Sequence, residues 1–114
     1  MPDALGSTWN KTVIVVVTEF GRTVHINGTN GTDHGTGCVA FVMGGRVRGG
    51  RVMGRWPGLG ESSLYQGRDL MPTTDMRSIF RTVLYSHLRA PLDALDNAIF
   101  PDSNGLPYLD GLLA

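Results

Sequence analysis

The apolar residues of this chain fall into two short unbroken runs and one periodic segment. Thr12-Val13-Ile14-Val15-Val16-Val17-Thr18 is β-branched throughout, and the spacing predicts a strand over residues 13–17. A run without polar alternation predicts burial on both faces, the pattern of a parallel sheet covered by helices. The second run, from Cys38 to Met43, ends at Gly44-Gly45 and predicts a strand over residues 39–43. Cys38, at its start, reads as a small buried hydrophobe. Met76, Ile79, Phe80, Val83, Leu84 and Leu88 recur at i, i+3, i+4, i+7, i+8 and i+12, which predicts an amphipathic helix over residues 75–88. Pro72-Thr73-Thr74-Asp75 supplies its start, a capping hydroxyl followed by an acid at the positive end of the dipole.

The remaining segments are weaker. Residues 46–53 alternate Val47 and Val52 with Arg and Gly, an exposed hairpin or irregular ribbon. Residues 56–71 read as a loop with at most one helical turn. Pro91 opens a shorter helical segment, and Pro101 begins a tail whose Leu106, Tyr108 and Leu112 dock on the rest. A strand buried on both faces needs neighbours on either side and helices above and below. One helix and one further strand do not supply them. The chain therefore reads as α/β, the edge of a larger domain, either a fragment or a piece that completes its core by association.

Composition narrows the partners. With 114 residues there is room for one small domain, and 41% hydrophobic against 18% charged residues argues against disorder. Ten basic and ten acidic side chains cancel, so there is no electrostatic case for nucleic acid or an anionic membrane. The run over 13–17 is far short of the ~20 residues of a membrane helix. The single cysteine excludes an internal disulfide framework and a Cys-rich zinc site. Met1-Pro2-Asp3 is followed by no apolar h-region, so no signal peptide is expected in this chain. Twelve of the 16 glycines lie between Gly21 and Gly60, where the backbone must adopt shapes or approaches that other residues forbid.

Two clusters in that glycine-rich stretch carry candidate chemistry. Thr18-Glu19-Phe20-Gly21-Arg22 follows the first strand, and the carboxyl ends of strands are where open α/β sheets bind ligands. A carboxylate and an arginine three residues apart suit a metal and an oxyanion, or simply a surface ion pair. Asn27 to Gly37 forms the second cluster, with Asp33 and His34 adjacent among glycines. Imidazole and carboxylate donors suit zinc, manganese or iron, while an Asx-type turn is the plainer alternative. His25 reads as a loop histidine and His87 as a helix-end histidine favouring the dipole. Arg46, Arg48, Arg51 and Arg55 form a positive ribbon, attractive to an anionic substrate or merely solvated.

These residues resemble a known family. Val-Val-Thr-Glu-Phe-Gly-Arg-Thr, the Asn-Gly-Thr…Gly-Thr-Asp-His-Gly loop, Gly-Gly-Arg-Val-Arg-Gly-Gly-Arg-Val, Trp56-Pro57-Gly58-Leu59 and Arg68-Asp69-Leu70 are similar to the C-terminal end of domain-of-unknown-function family 1501. The resemblance implies bacterial proteins, periplasmic or otherwise exported by the twin-arginine route in full-length form, within the alkaline phosphatase and sulfatase superfamily. It implies a partial alkaline phosphatase-like fold, with residues 1–114 a single C-terminal fragment of a larger domain. In that superfamily a strand ends in Thr-x-Asp-His-Gly and a later Asp-His loop supplies another histidine. Glu19 falls at the first Asp position, Phe20 at the first His position, and Asp33-His34 at the later loop. The implied ligands of a divalent metal (zinc, manganese or calcium) are His34, Glu19 and Asp33, with Arg22 binding an anionic ester. Phe20 cannot ligate, and the family's nucleophile lies upstream of this stretch, so no catalytic residue is assigned here. The expected function is the C-terminal portion of a phosphate or sulfate ester hydrolase-like protein, inactive alone. The alternative is a non-catalytic binding or structural module that kept the fold and lost the ligands. The expected partner is the missing N-terminal part or a second copy of the chain.

Overall fold

The computed structural model describes residues 1–103 and 105–114. A short helix α1 (Pro2–Leu5) runs into a 3-10 turn (Gly6–Lys11) and then strand β1 (Val13–Val16). Strands β2 (Gly21–Arg22), β3 (His34–Gly35) and β4 (Phe41–Gly44) follow, and a 3-10 turn over Glu61–Ser63 interrupts the long connection to helix α2 (Met76–Ser86). Helix α3 (Leu92–Ala94) continues into a π-helical turn over Leu95–Ile99. The architecture is mixed helix and strand, with two sheets of two strands each, β1–β4 and β2–β3.

The first expectation to be corrected is the parallel, two-face-buried sheet. A Cβ on Gly44, at the end of β4, would lie against the carbonyl of Thr12 just before β1. Cys38, ahead of β4, has its Sγ 3.7 Å from the carbonyl of Thr18, beyond the end of β1. Both contacts describe strands running antiparallel, a hairpin-like ribbon with a long connection. None of its strand residues is fully buried, and Phe41 keeps 59% of its surface exposed. Cys38 is also exposed rather than buried.

The chain divides into two compact units, one of Met1–Ile14, Val42–Arg51 and Asp75–Ala114, the other of Val15–Phe41 and Val52–Thr74. The first is organised on α2. Its N-cap is Asp75, whose carboxylate accepts from the Arg77 amide at 2.9 Å. The Arg77 guanidinium also binds that carboxylate, and this pairing holds the Asp75 carboxyl below the usual carboxylate value. The cap is thus the acid and not a threonine hydroxyl; Thr73 donates to the carbonyl of Arg55.

Helix α2 also buries an unexpected face. Its buried residues are Ser78, Arg81 and Thr82, while Met76, Ile79, Phe80, Val83 and Leu84 are only half-buried. The C-terminal tail explains this. The Leu109 amide donates to Thr82 Oγ1 at 2.8 Å, and Thr82 donates in turn to the Ser78 carbonyl. Arg81 pairs with Asp96 at 2.5 Å and lies 4.9 Å from the centre of the Tyr108 ring, which packs on Tyr85. The tail then runs beside residues 46–48: the Arg48 amide donates to the Leu112 carbonyl and the Ala114 amide to the Arg46 carbonyl. Arg46 and Arg51 donate to the carbonyls of Ala114 and Gly111, so half of the arginine ribbon is bonded to the tail. Leu95 and Leu112 are the buried hydrophobic residues of this unit, and Leu64 is the one of the other, among the described residues.

Candidate functional site

Every candidate site residue lies in the unit that contains the β2–β3 pair. After β1 the Phe20 amide donates to Thr18 Oγ1, turning the chain into β2. Strand β2 pairs antiparallel with β3, Gly21 opposite Gly35 and Arg22 opposite His34. Two glycines make this approach possible. A Cβ on Gly21 would sit 1.9 Å from the Gly37 carbonyl oxygen, and one on Gly35 would sit 2.7 Å from Asp69 Cβ.

The loop between the two strands is closed by Asn27. Its Oδ1 accepts from the Thr29 amide, the Thr29 hydroxyl and the Gly31 amide at 2.9–3.0 Å, an Asx-type turn. Its Nδ2 donates to Asp33 Oδ1 at 3.1 Å, which orients that carboxylate. Thr23 fixes the same residue through the backbone: its amide donates to the Asp33 carbonyl and its hydroxyl accepts from the Asp33 amide, both at 3.0 Å. The plainer reading of this loop, a polar turn, is therefore present, and it sets the residue beside His34.

Successive side chains of a strand point to opposite faces. Gly35 backs onto Asp69, so His34 faces the other way, on the same side as its cross-strand partner Arg22. Both side chains are exposed. Arg22 Nη1 donates to Thr32 Oγ1 at 2.9 Å, leaving the rest of its fork open. The Phe20 ring meets the His34 imidazole edge-on, centroids 5.7 Å apart. The structure thus brings Phe20, Arg22 and His34 together with Asp33 beside them. Glu19 is exposed, one residue before Phe20 and outside these contacts. Among the described residues, no three His, Cys, Asp or Glu side chains are grouped as a metal ion would require. His25 instead pairs with Glu61 at 2.7 Å, and His87 contacts the Lys11 carbonyl at 3.0 Å from the C-cap of α2.

Sequence reasoning assigned no role to Asp69. It is completely buried, its Oδ2 accepts from the Thr36 amide at 2.7 Å, and Arg68 Nε stands 3.5 Å from Oδ1, which has no hydrogen-bond partner. Burial by itself pushes this carboxyl up, but the Thr36 hydrogen bonds and the Arg68 charge outweigh it and hold the group below its ordinary value. The signal that pointed here was the crowding of glycines at 21, 35 and 37, which marks close approach without naming what approaches.

Comparison with known proteins gives one positive result. No curated protein and no solved structure matches the chain. The model of a family described as "Protein of unknown function (DUF1501)" matches residues 3–94, leaving Asp96 and Leu109, which bond to the polar face of α2, beyond the match. That match spans most of the chain and contains both strand pairs and the whole of α2, so the chain belongs to the DUF1501 family.

Proposed function

We propose that this chain is the C-terminal portion of a metal-dependent phosphate or sulfate ester hydrolase-like protein of the alkaline phosphatase and sulfatase superfamily, inactive by itself. The observation that supports it is the β2–β3 register, which sets Arg22 directly across from His34 with Asp33 adjacent. An imidazole nitrogen and a carboxylate are the donor types of zinc, manganese and related sites. They fit a divalent ion in kind but not in number, since His34, Asp33 and Glu19 do not converge as a set. The chain therefore offers a half-site, and no chemical step is derived through a metal. What its own residues do is bind. The free part of the Arg22 fork matches two oxygens of a tetrahedral anion, and the His34 imidazole and Asp33 carboxylate beside it offer a nitrogen and oxygens to a cation that such an anion accompanies.

The test is a calorimetric titration of Zn2+ and of Mn2+ into the wild-type chain and His34→Ala. The expected result is wild-type binding that weakens at least about tenfold in the variant, no less than the loss of an outer-shell partner costs. Equal affinities would end the reading. A second reading, a non-catalytic module, is favoured by Phe20, a residue that cannot ligate and whose ring meets the His34 imidazole edge-on. Absence of any metal binding by the wild type selects it.

The same proposal extends to the partner. Among the described residues the β1–β4 ribbon has two strands and hence an unpaired edge on each, with Val16 and Phe41, and Val39 just ahead of β4, exposed. Open edges beside apolar side chains are templates for further strand pairing. In the isolated chain that surface is covered by a second copy, in the intact protein by the rest of the sheet. Light scattering is expected to give a mass above the 12.3 kDa of the single chain, rising with concentration. A strict monomer over a wide concentration range would remove the self-association.

A further inference from the structure

Asp69 is the one completely buried carboxylate among the described residues, and nothing in the binding reading above uses it. Its surroundings are built for holding rather than for binding. The Asp69 carbonyl accepts from the Tyr65 amide at 2.8 Å and its amide donates to the Tyr65 carbonyl at 3.2 Å, closing a tight turn over residues 65–69. That turn lies along β2: the Val24 amide donates to the Arg68 carbonyl at 3.0 Å, and Thr23 is bridged to Asp69. From this fixed point the side chain crosses behind Gly35 and grips the Thr36 amide.

The consequence falls on His34. On one side of it Asp33 is clamped by the amide and hydroxyl of Thr23, and on the other Thr36 is clamped by Asp69. The span carrying the imidazole is therefore fixed at both ends by groups that never touch the imidazole. Gly35 between them can carry no side chain, because its Cβ would fall on Asp69. A carboxylate accepting from a backbone amide makes a shorter and stronger bond than a neutral acceptor, and the 2.7 Å separation is of that kind. Groups that hold a ligand's orientation from behind are worth roughly 10- to 100-fold in metal affinity where they have been removed.

We propose that Asp69 is a positioning residue for His34: its carboxylate, by holding the Thr36 amide, sets the β2–β3 register and the direction of the imidazole on the opposite face. The role in metal binding rests on the function proposed above. The role in placing His34 does not.

The experiment uses the full chain with Asp69→Ala and Asp69→Asn, read by amide hydrogen exchange, the NMR shifts of the His34 ring, and titration with Zn2+ alone. Asparagine keeps an oxygen for the Thr36 amide and loses only the charge, so it is expected to retain the wild-type ring shifts. Alanine is expected to speed exchange at Thr36, move the His34 ring shifts and weaken Zn2+ binding roughly tenfold, while the amides of α2 stay protected. If the wild type binds no Zn2+, the hydrolase-like reading fails, and the ring shifts and Thr36 exchange alone decide the proposal. Unmoved His34 shifts in Asp69→Ala overturn it. So does loss of all protection in both variants, since Asp69 would then hold the whole fold and not this span.

Discussion

Leu95→Ala is expected to destabilise the chain by about 3 kcal/mol, in the middle of the ~2–5 kcal/mol that leucine truncation costs at buried sites. Leu95 has no exposed surface and, among the described residues, makes up with Leu112 the buried hydrophobic residues of its unit. It opens the π-helical turn, where its amide donates to the Pro91 carbonyl and its carbonyl accepts from Phe100. Domains of this size have only ~5–15 kcal/mol to lose, and each 1 kcal/mol moves the melting temperature by about 4–8 °C. A fall of about 12–24 °C by circular dichroism follows, with a matching drop in the urea midpoint. Val52→Ala is the control: Val52 is 97% exposed, and its change is expected within about 0.5 kcal/mol. A Leu95→Ala loss as small as that of Val52→Ala would show that the unit is not held by this residue.

Local signals were read correctly where a single element decided them. The β-branched run at residues 13–17 became β1, and the i, i+3, i+4 spacing became α2, ending at Ser86. What the pattern could not carry was the partner of each face. An apolar stripe says that burial is favourable, not that this chain supplies the cover. Ile79, Phe80, Val83 and Leu84 stay half-exposed because the tail docks on Ser78, Arg81 and Thr82 through polar bonds that have no period in sequence. The same reasoning failed for β1 and Cys38, where burial was inferred from an unbroken apolar run and the structure leaves an exposed antiparallel ribbon. At the candidate site Asp33, His34 and Arg22 were singled out by residue type, and the β2–β3 register sets Arg22 across from His34. Asp69 was not, since its role comes from a contact with Thr36 across 33 residues of chain.

The second large effect is expected at Gly21. It lies opposite Gly35 in the β2–β3 pair, and a methyl group built on it would stand 1.9 Å from the Gly37 carbonyl oxygen and 2.7 Å from the carbon of that carbonyl. Those are backbone atoms, and a side-chain rotation cannot relieve the clash. Gly37 is itself closely packed, since a Cβ built on it would stand 2.3 Å from the carbonyl oxygen of Leu70. Gly21→Ala must therefore open the pair. Overpacking costs ~1–3 kcal/mol where neighbours can shift and more where they cannot. The expected result is loss of amide protection at Thr23, which donates to Asp33 across the pair, together with loss of the Phe20–His34 ring contact. Helix α2, in the other unit, is expected to keep its protection. Gly28→Ala provides the comparison in the same loop, since nothing lies within 4 Å of its Cβ position, and it is expected to change stability by less than about 0.5 kcal/mol. Were Gly21→Ala to retain protected Thr23 and Asp33 amides, the close approach of β2 to Gly37 would be wrong, and with it the placement of Arg22 across from His34.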